Sequence, residues 1–399
     1  MRKMVAAAAV GLLLFAGPAV VRGATESALR AVKSMIGQGD ALLVTGPDNR
    51  VLLSKNANRP LIPASTLKVL TALVALNTLG PEYRFTTEFY TDADHNLTIK
   101  GFGDPGLVSE VVADIAERLA PGLGRVENIV LDASHFAQPL VIPGISSSSE
   151  PYDAPNGALC VNFNTVFFRM ANGAYVSAEP QTPLLPMVHA RIASSGLREG
   201  RIVLSHNGNE VTRYTGYLFA HFLRQAGVPV TGTVVIGAVR ADRDRLVHRH
   251  RSPQTLSDAI AGIMAYSNNY TTNQILITAG IRRYGPPGTL AKGVRAARAY
   301  AREVLNLEDI TISEGSGISR KNRLSARDLT TILAAFAPYR DLMPSDGRQF
   351  YKTGTLRGIS TRAGYIAGAG GGFHRFVILI NTPGHSAAPV ARRLENLLK

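Results

Sequence analysis

The sequence predicts an α/β (α+β) fold in which one domain interrupts another. Three observations carry this. Near the start, two apolar runs at residues 41–45 and 50–54 flank the turn-forming Gly46-Pro-Asp-Asn49 and read as a β-hairpin. From about Phe85 to about Val211 the texture changes to short alternating segments, which read as strands. Helical patterns return after Val211, and the chain ends in strand-like runs and a terminal helix. The expected division is a discontinuous domain at 24–85 and 212–399 with an inserted, mainly β or α/β domain at 86–211.

Each element has its own signal. Residues 26–36 have helical periodicity. Pro60 and Pro63 force extended chain, and the apolar stretch 67–79 is long enough for a buried helix. Pro63 and Ser65 are good helix-entry residues, so Ser65 belongs at a helix start with Lys68 one turn later on the same face. Within the insert, 86–90, 97–100 and 126–131 read as strands, 108–119 as a helix and 145–149 as a low-complexity loop. Helices are expected at 214–226, 256–264, 272–279 and 290–305. Strands are expected at 230–239, 349–351, 363–367 and 373–381, and a last helix at 390–398. The first hairpin and the last strands could close one sheet.

Composition bounds the class. The 399 residues are 45% hydrophobic and 18% charged, enough for more than one real core. Arg2 and Lys3 precede an apolar run, residues 4–15, and small residues follow to Gly23. This predicts a signal peptide at 1–23 and an exported chain in the periplasm or cell-wall compartment. The single cysteine, Cys160, excludes an intramolecular disulfide and lies in an apolar setting that suits a buried, inert thiol. The net charge is +14, of which Arg2, Lys3 and Arg22 supply three. A basic exported protein suits peripheral contact with an anionic wall or membrane surface, and export argues against nucleic acid. The run 240–251, diluted by Asp242 and Asp244, reads as a solvated loop or edge.

The chemistry lies in three ordered groups: Ser65-Thr-Leu-Lys68, Ser267-Asn-Asn269 and Lys352-Thr353-Gly354. A serine hydroxyl needs a base, and Lys68 can serve once burial or a neighbouring cation such as Lys352 lowers its pKa. Backbone N–H groups of Ser65 and Thr355 could form an oxyanion hole, with Gly354 allowing close approach of the strand. Lys352 and Thr353 suit a substrate carboxylate, and Asn269 suits an acyl-side peptide bond. Ser267 could relay a proton to the leaving nitrogen. Tyr266-Ser-Asn268 fits equally well in spacing, with the phenol in place of the serine, and both alternatives place two side chains on one side of extended chain. Gly101-Phe-Gly-Asp-Pro-Gly106 matches a dinucleotide fingerprint but lacks the following helix. The nine histidines show no HExxH-type spacing. No metal or organic cofactor is called for.

Six segments resemble, in order, those of the D-alanyl-D-alanine carboxypeptidase/endopeptidase family, in its penicillin-binding-protein-4-like (DacB-like, low-molecular-mass class C) branch. They are Pro63-Ala-Ser-Thr66, Gly103-Asp-Pro105, Leu131-Asp-Ala-Ser134, Tyr152-Asp-Ala-Pro155, Gly315-Ser-Gly-Ile-Ser319 and Lys352-Thr-Gly-Thr-Leu356. The resemblance implies a penicillin-binding-protein/β-lactamase-like transpeptidase domain, an antiparallel sheet flanked by helices plus a helical subdomain, with insertions between Ser65 and Ser267. It implies Ser65 as nucleophile, Lys68 as base and Ser267 rather than Tyr266 in the second group beside Asn269. It further implies Lys352, Thr353 and Gly354 on the third side, and Asp132 on the insert meeting the amino end of the peptide stem. The chain departs from the family at Glu314, where Asp is common before Gly-Ser-Gly. The implied function is a serine D-Ala-D-Ala carboxypeptidase and/or D,D-endopeptidase. Its partners would be peptidoglycan stem peptides and cross-links, with β-lactam antibiotics as inhibitors. The alternatives are a serine β-lactamase, which would need a deacylating group, and a non-catalytic wall- or β-lactam-binding protein.

Overall fold

A computed structural model describes residues 27–398; the expected signal peptide lies outside them. Helix α1 covers residues 27–34. Strands β1 (Ala41–Thr45) and β2 (Val51–Lys55) form the expected hairpin. A 3-10 turn, Ala64–Leu67, runs into α2 (Lys68–Leu79). The second module follows: β3 (Thr86–Thr91), β4 (Leu97–Gly101), α3 (Ser109–Leu119), β5 (Ile129–Asp132), β6 (Thr165–Ala171), β7 (Ala174–Ser177), α4 (Pro186–Ser195), β8 (Glu199–Val203), α5 (Gly208–Gln225), β9 (Val234–Ile236) and β10 (Arg245–Arg251). The chain returns through α6 (Leu256–Tyr266), α7 (Asn269–Tyr284), α8 (Leu290–Glu303) and α9 (Ala326–Phe336). It closes with β11 (Ser345–Asp346), β12 (Gln349–Leu356), β13 (Ile359–Ala367), β14 (Phe373–Ile380) and α10 (Ala387–Leu397).

The first domain is an antiparallel six-stranded sheet, ordered β11-β12-β13-β14-β1-β2. The first hairpin does join the last strands, through β1 against β14. Alternation splits each strand between two layers. Ala41 and Leu43 pack on α2, α6, α7, α8 and α9, whereas Leu42 and Val44 pack on α1 and α10. With both faces covered, strands read as continuous apolar runs. Helix α2 lies at the centre of the helical layer, and Lys68 to Leu76 are all buried, as expected for a helix apolar on every side. A lysine at its first position is therefore carried into the interior.

The second module has a mixed sheet, β10-β3-β4-β5-β9, and a three-stranded sheet, β7-β6-β8, over a core shared with α3, α4 and α5. Its extent corrects the expected boundary at 211. Helix α5 places Tyr214, Leu218, Phe219 and Leu223 in this core, and β10 pairs with β3. The chain leaves the module only after Arg251. An amphipathic helix reads the same whichever domain it packs on, and pairing alone decides. Strand β10 is an edge strand, so the basic run is a solvated edge as expected. Arg240 pairs with Asp92 at 2.9 Å and Arg249 with Glu88 at 2.7 Å. Helix α9 had no expectation in the sequence; a Ser325–Asp328 capping box starts it.

Several contacts dock the modules, two of them central. Gln274 on α7 is fully buried; its Nε2 donates to the Gly157 and Gly103 carbonyls at 2.9 and 3.2 Å, while its Oε1 accepts from Asn156 Nδ2 at 3.0 Å. Phe136 and Gly288 form an isolated bridge. Gly103 packs against Phe136, so this glycine-rich stretch serves packing; the expectation that no helix follows it is corrected, since α3 begins at Ser109. Cys160 is buried as expected, and its burial raises the thiol pKa to about 11.

Candidate active site

Ser65 sits in the 3-10 turn ahead of α2 and does not cap the helix through its side chain. Its hydroxyl stays free for Lys68, whose Nζ lies 3.0 Å from Ser65 Oγ. The turn is held from three sides. Thr66 and Thr361 hydroxyls donate to the Pro63 carbonyl at 2.7 and 2.8 Å, and Thr71 donates to the Gly315 carbonyl at 2.7 Å. Gly354 and Gly317 press on its backbone. A Cβ on Gly354 would stand 2.8 Å from the Ser65 nitrogen, and one on Gly317 would overlap the Ala64 carbonyl at 1.9 Å. Ala64 is held at φ 48°, a left-handed conformation rare outside glycine.

Lys68 is 0% exposed. Besides Ser65, its Nζ donates to Asn269 Oδ1 at 2.8 Å and to the Ser316 carbonyl at 2.7 Å. Burial holds its pKa well below the ordinary lysine value; the Lys352 charge adds to this, and Glu314 opposes it. Lys352 is 1% exposed and burial lowers it to about 8.

A cleft of about 620 Å³ opens over this pair, lined by Ser65, Tyr152, Ser267, Asn269, Thr353 and Thr355 among others. The placement of Lys352 and the backbone of the second group differ from expectation. Strand alternation turns Thr353 and Thr355 to the cleft but Lys352 inward, where its Nζ donates to the Thr353 carbonyl at 3.1 Å. Lys352 is thus a charge beneath the wall, not an open partner of Thr353 for a carboxylate. Ser267 is the left-handed C-cap of α6 (φ 60°) and Asn269 opens α7, so the second group is a helix junction and not extended chain. That bend aims Ser267 into the cleft and leaves Tyr266 outside its lining, 86% exposed. Asn269 is engaged on both sides, to Lys68 and, through Nδ2, to the Tyr152 carbonyl at 3.3 Å.

Asp132 does not line the cleft. It is a buried strand-end carboxylate, accepting from Ser134 N at 2.9 Å and Val239 N at 3.0 Å, with Lys100 Nζ at 3.4 Å. Burial alone would raise its pKa, but these donors and the lysine hold it below the usual value. Its oxygens engage β5 and its neighbours within the inserted module.

The sequence reading missed the parts that only folding assembles. Glu314 is wholly buried and accepts six hydrogen bonds, among them Ser316 N (2.6 Å), Gly317 N (2.7 Å) and Asn322 Nδ2 (2.7 Å). It shapes the loop whose Ser316 carbonyl meets Lys68; its place before Gly-Ser-Gly was the only available signal. Asp153, accepting from Ser148 Oγ at 2.6 Å, folds the polar loop over the cleft. Arg320 and Arg357 at the rim had no signal. Among the described residues no group of three or more His, Cys, Asp or Glu side chains could hold a metal ion.

Known proteins resemble this chain. The D-alanyl-D-alanine carboxypeptidase of Actinomadura sp. (strain R39) is 26% identical over 416 residues, covering 85% of this chain and 77% of the relative. Penicillin-binding protein 4 from Haemophilus influenzae superposes with a TM-score of 0.74 at 18% identity, covering 92% of this chain and 98% of that one. A penicillin G-acylated predatory endopeptidase from Bdellovibrio bacteriovorus gives 0.52 at 15% identity, covering 89% and 90%. Residues 37–185 and 198–344 match the D-Ala-D-Ala carboxypeptidase 3 (S13) family. That match spans both modules and embraces the serine, the lysine and the asparagine brought together here, and the chain belongs to the D-Ala-D-Ala carboxypeptidase 3 (S13) family.

Proposed function

We propose that this chain is a serine D-Ala-D-Ala carboxypeptidase, with D,D-endopeptidase action on cross-links by the same chemistry, and that Ser65 carries the acyl group. The observation that carries the reading is the 3.0 Å contact between Ser65 Oγ and the buried, pKa-lowered Lys68. Neutral Lys68 takes the Ser65 proton as Oγ attacks the penultimate D-Ala carbonyl carbon. The Ser65 and Thr355 N–H groups receive the oxyanion. Ser267 passes a proton to the leaving nitrogen as the C–N bond breaks, and water then hydrolyses the ester. Thr353 meets the substrate carboxylate, with the Lys352 charge behind it. Asn269 holds Lys68 in place and offers its amide to the acyl-side peptide.

Peptidoglycan stem peptides and cross-links are the substrates, and β-lactams are inhibitors that stop at the acyl-enzyme; the penicillin G-acylated relative supports this. The basic charge and N-terminal segment support an exported protein touching anionic wall or membrane surfaces. Intact-protein mass spectrometry with penicillin tests the site: a covalent adduct is expected on the wild type and none on Ser65→Ala. Equal labelling of both would refute Ser65. Release of D-alanine or of cut cross-links from sacculi tests the activity.

A further inference from the structure

We propose that Glu314 is a positioning residue for the acylation step: the loop it holds aims the Ser316 carbonyl at Lys68, and its buried charge supports the ammonium that forms when Lys68 takes the Ser65 proton. This role rests on the peptidase reading above. A neutral amine has two N–H groups and one lone pair; an ammonium has three N–H groups and no lone pair. Lys68 Nζ meets three oxygens: Ser65 Oγ at 3.0 Å, Asn269 Oδ1 at 2.8 Å and the Ser316 carbonyl at 2.7 Å. The last two can only accept, so they take both N–H groups of the neutral amine. The lone pair is then left for the Ser65 O–H. As Ser65 Oγ bonds to the substrate carbonyl carbon, its proton passes to that lone pair, and the ammonium already has acceptors in place. The Ser316 carbonyl therefore sets the direction of the base before the reaction and holds its charged form after it.

Glu314 fixes that carbonyl from within the same loop. Its Oε2 accepts from Ser316 N (2.6 Å), Ser316 Oγ (2.7 Å) and Asn273 Nδ2 (3.2 Å). Its Oε1 accepts from Gly317 N (2.7 Å), Asn322 Nδ2 (2.7 Å) and Ser319 N (3.3 Å). Donors surround both oxygens, which suits the ionised carboxylate. All six are neutral groups, so none of them cancels its charge. Asn273 Oδ1 also accepts from Gly315 N at 2.8 Å, and the Gly315 carbonyl accepts from Thr71, so Ser316 is pinned at its neighbour as well. Asn273 follows Asn269 by one turn of α7, so one helix face carries a contact to Lys68 and a contact to the loop. Glu314, Lys68 and Lys352 are each at most 1% exposed, and water screens their charges little. The ionisable groups that act on Lys68 are Lys352 from β12 and Glu314 from this loop. Burial lowers the Lys68 pKa most, the Lys352 charge lowers it further, and Glu314 raises it. With Lys68 neutral and Lys352 charged, the three side chains balance. The incoming proton adds a positive charge, and Glu314 is the anion that opposes it.

The test separates charge from shape. Penicillin acylation rates are followed against pH by stopped flow for wild type, Glu314→Gln, Glu314→Asp and Ser316→Gly, with urea unfolding to report folding. Glu314→Gln removes the charge. Its acidic limb is expected to move to lower pH, because Lys68 loses the group that raises its pKa. Its plateau rate is expected to fall about tenfold, since a weaker base takes the proton less readily. Glu314→Asp keeps the charge on a shorter arm; its plateau is expected to fall while the acidic limb stays with wild type. Ser316→Gly keeps the charge and frees the carbonyl, and its plateau is expected to fall as well. An acidic limb that stays in place in Glu314→Gln, or moves to higher pH, overturns the role, because a merely structural loss lowers the rate at every pH alike. If Glu314→Gln does not fold, Ser316→Gly decides: acylation at the wild-type rate overturns the role, and slower acylation by the folded protein supports it. Failure of penicillin to acylate Ser65 in the wild type overturns the peptidase reading, and this role with it.

Discussion

Lys68 and Lys352 share one buried patch under the cleft, and their charges oppose each other. Lys352, titrating at about 8, lowers Lys68 further than burial alone does. Below that pH Lys352 is charged and Lys68 keeps its proton less tightly, which keeps the base neutral. Lys352→Met removes that push. The Lys68 pKa should rise, and the acidic limb of the penicillin-acylation rate should move to higher pH; stopped-flow profiles of both proteins check the direction. The same lysines bind fewer protons folded than unfolded, so their contribution to stability worsens as pH falls below the ordinary lysine value of 10.5. Lys352→Met should therefore also raise the melting temperature at neutral pH. At this scale the sequence was legible where function sits on a short spacing, as with Ser65 and Lys68. It did not show the surroundings of Asp132, because a strand-end carboxylate looks the same whether its oxygens face a substrate or the Ser134 and Val239 amides.

Helix α7 is the element that joins chemistry to architecture. Its first residue, Asn269, contacts Lys68, and five residues on, Gln274 fastens the inserted module. Gln274→Ala would take the partner from the Gly103 and Gly157 carbonyls and from the Gly157 N–H in the interior, while Asn156 keeps its bond to the Tyr270 carbonyl. The expected loss is about 2–4 kcal/mol in urea unfolding, by the cost of unpaired buried polar groups. The acylation rate should fall as well, because Tyr152 and Asn269 meet across the same joint. A loss of stability with unchanged acylation would separate the joint from the site. Strands β1, β2, β13 and β14 were legible from apolar runs and turns. The α6–α7 junction was not: Tyr266-Ser-Asn-Asn269 is polar and short, and helix packing on both sides imposes its left-handed bend at Ser267.

Across the whole molecule, charge and topology act together. The +14 balance predicts salt-sensitive association with anionic walls. Retention of catalytically silent Ser65→Ala on sacculi should fall as salt rises from about 0.05 to 0.5 M, as the screening length shrinks through about 10 Å; retention independent of salt would exclude this. The amino-acid sequence by itself determined that a lysine-primed serine, a serine–asparagine pair and a cationic strand occur in order on a discontinuous α+β chain, because turns, periodicity and spacing are local. Tertiary structure alone decided which of these groups meet. Burial of α2 on every side put Lys68 out of water, strand alternation turned Lys352 behind Thr353, and β10 pairing with β3 carried the inserted module to Arg251. The setting of Lys68 and the pairing of β10 with β3 depend on contacts between residues far apart in sequence, such as Lys68 with Asn269 and Thr91 with Arg245, which no local window contains.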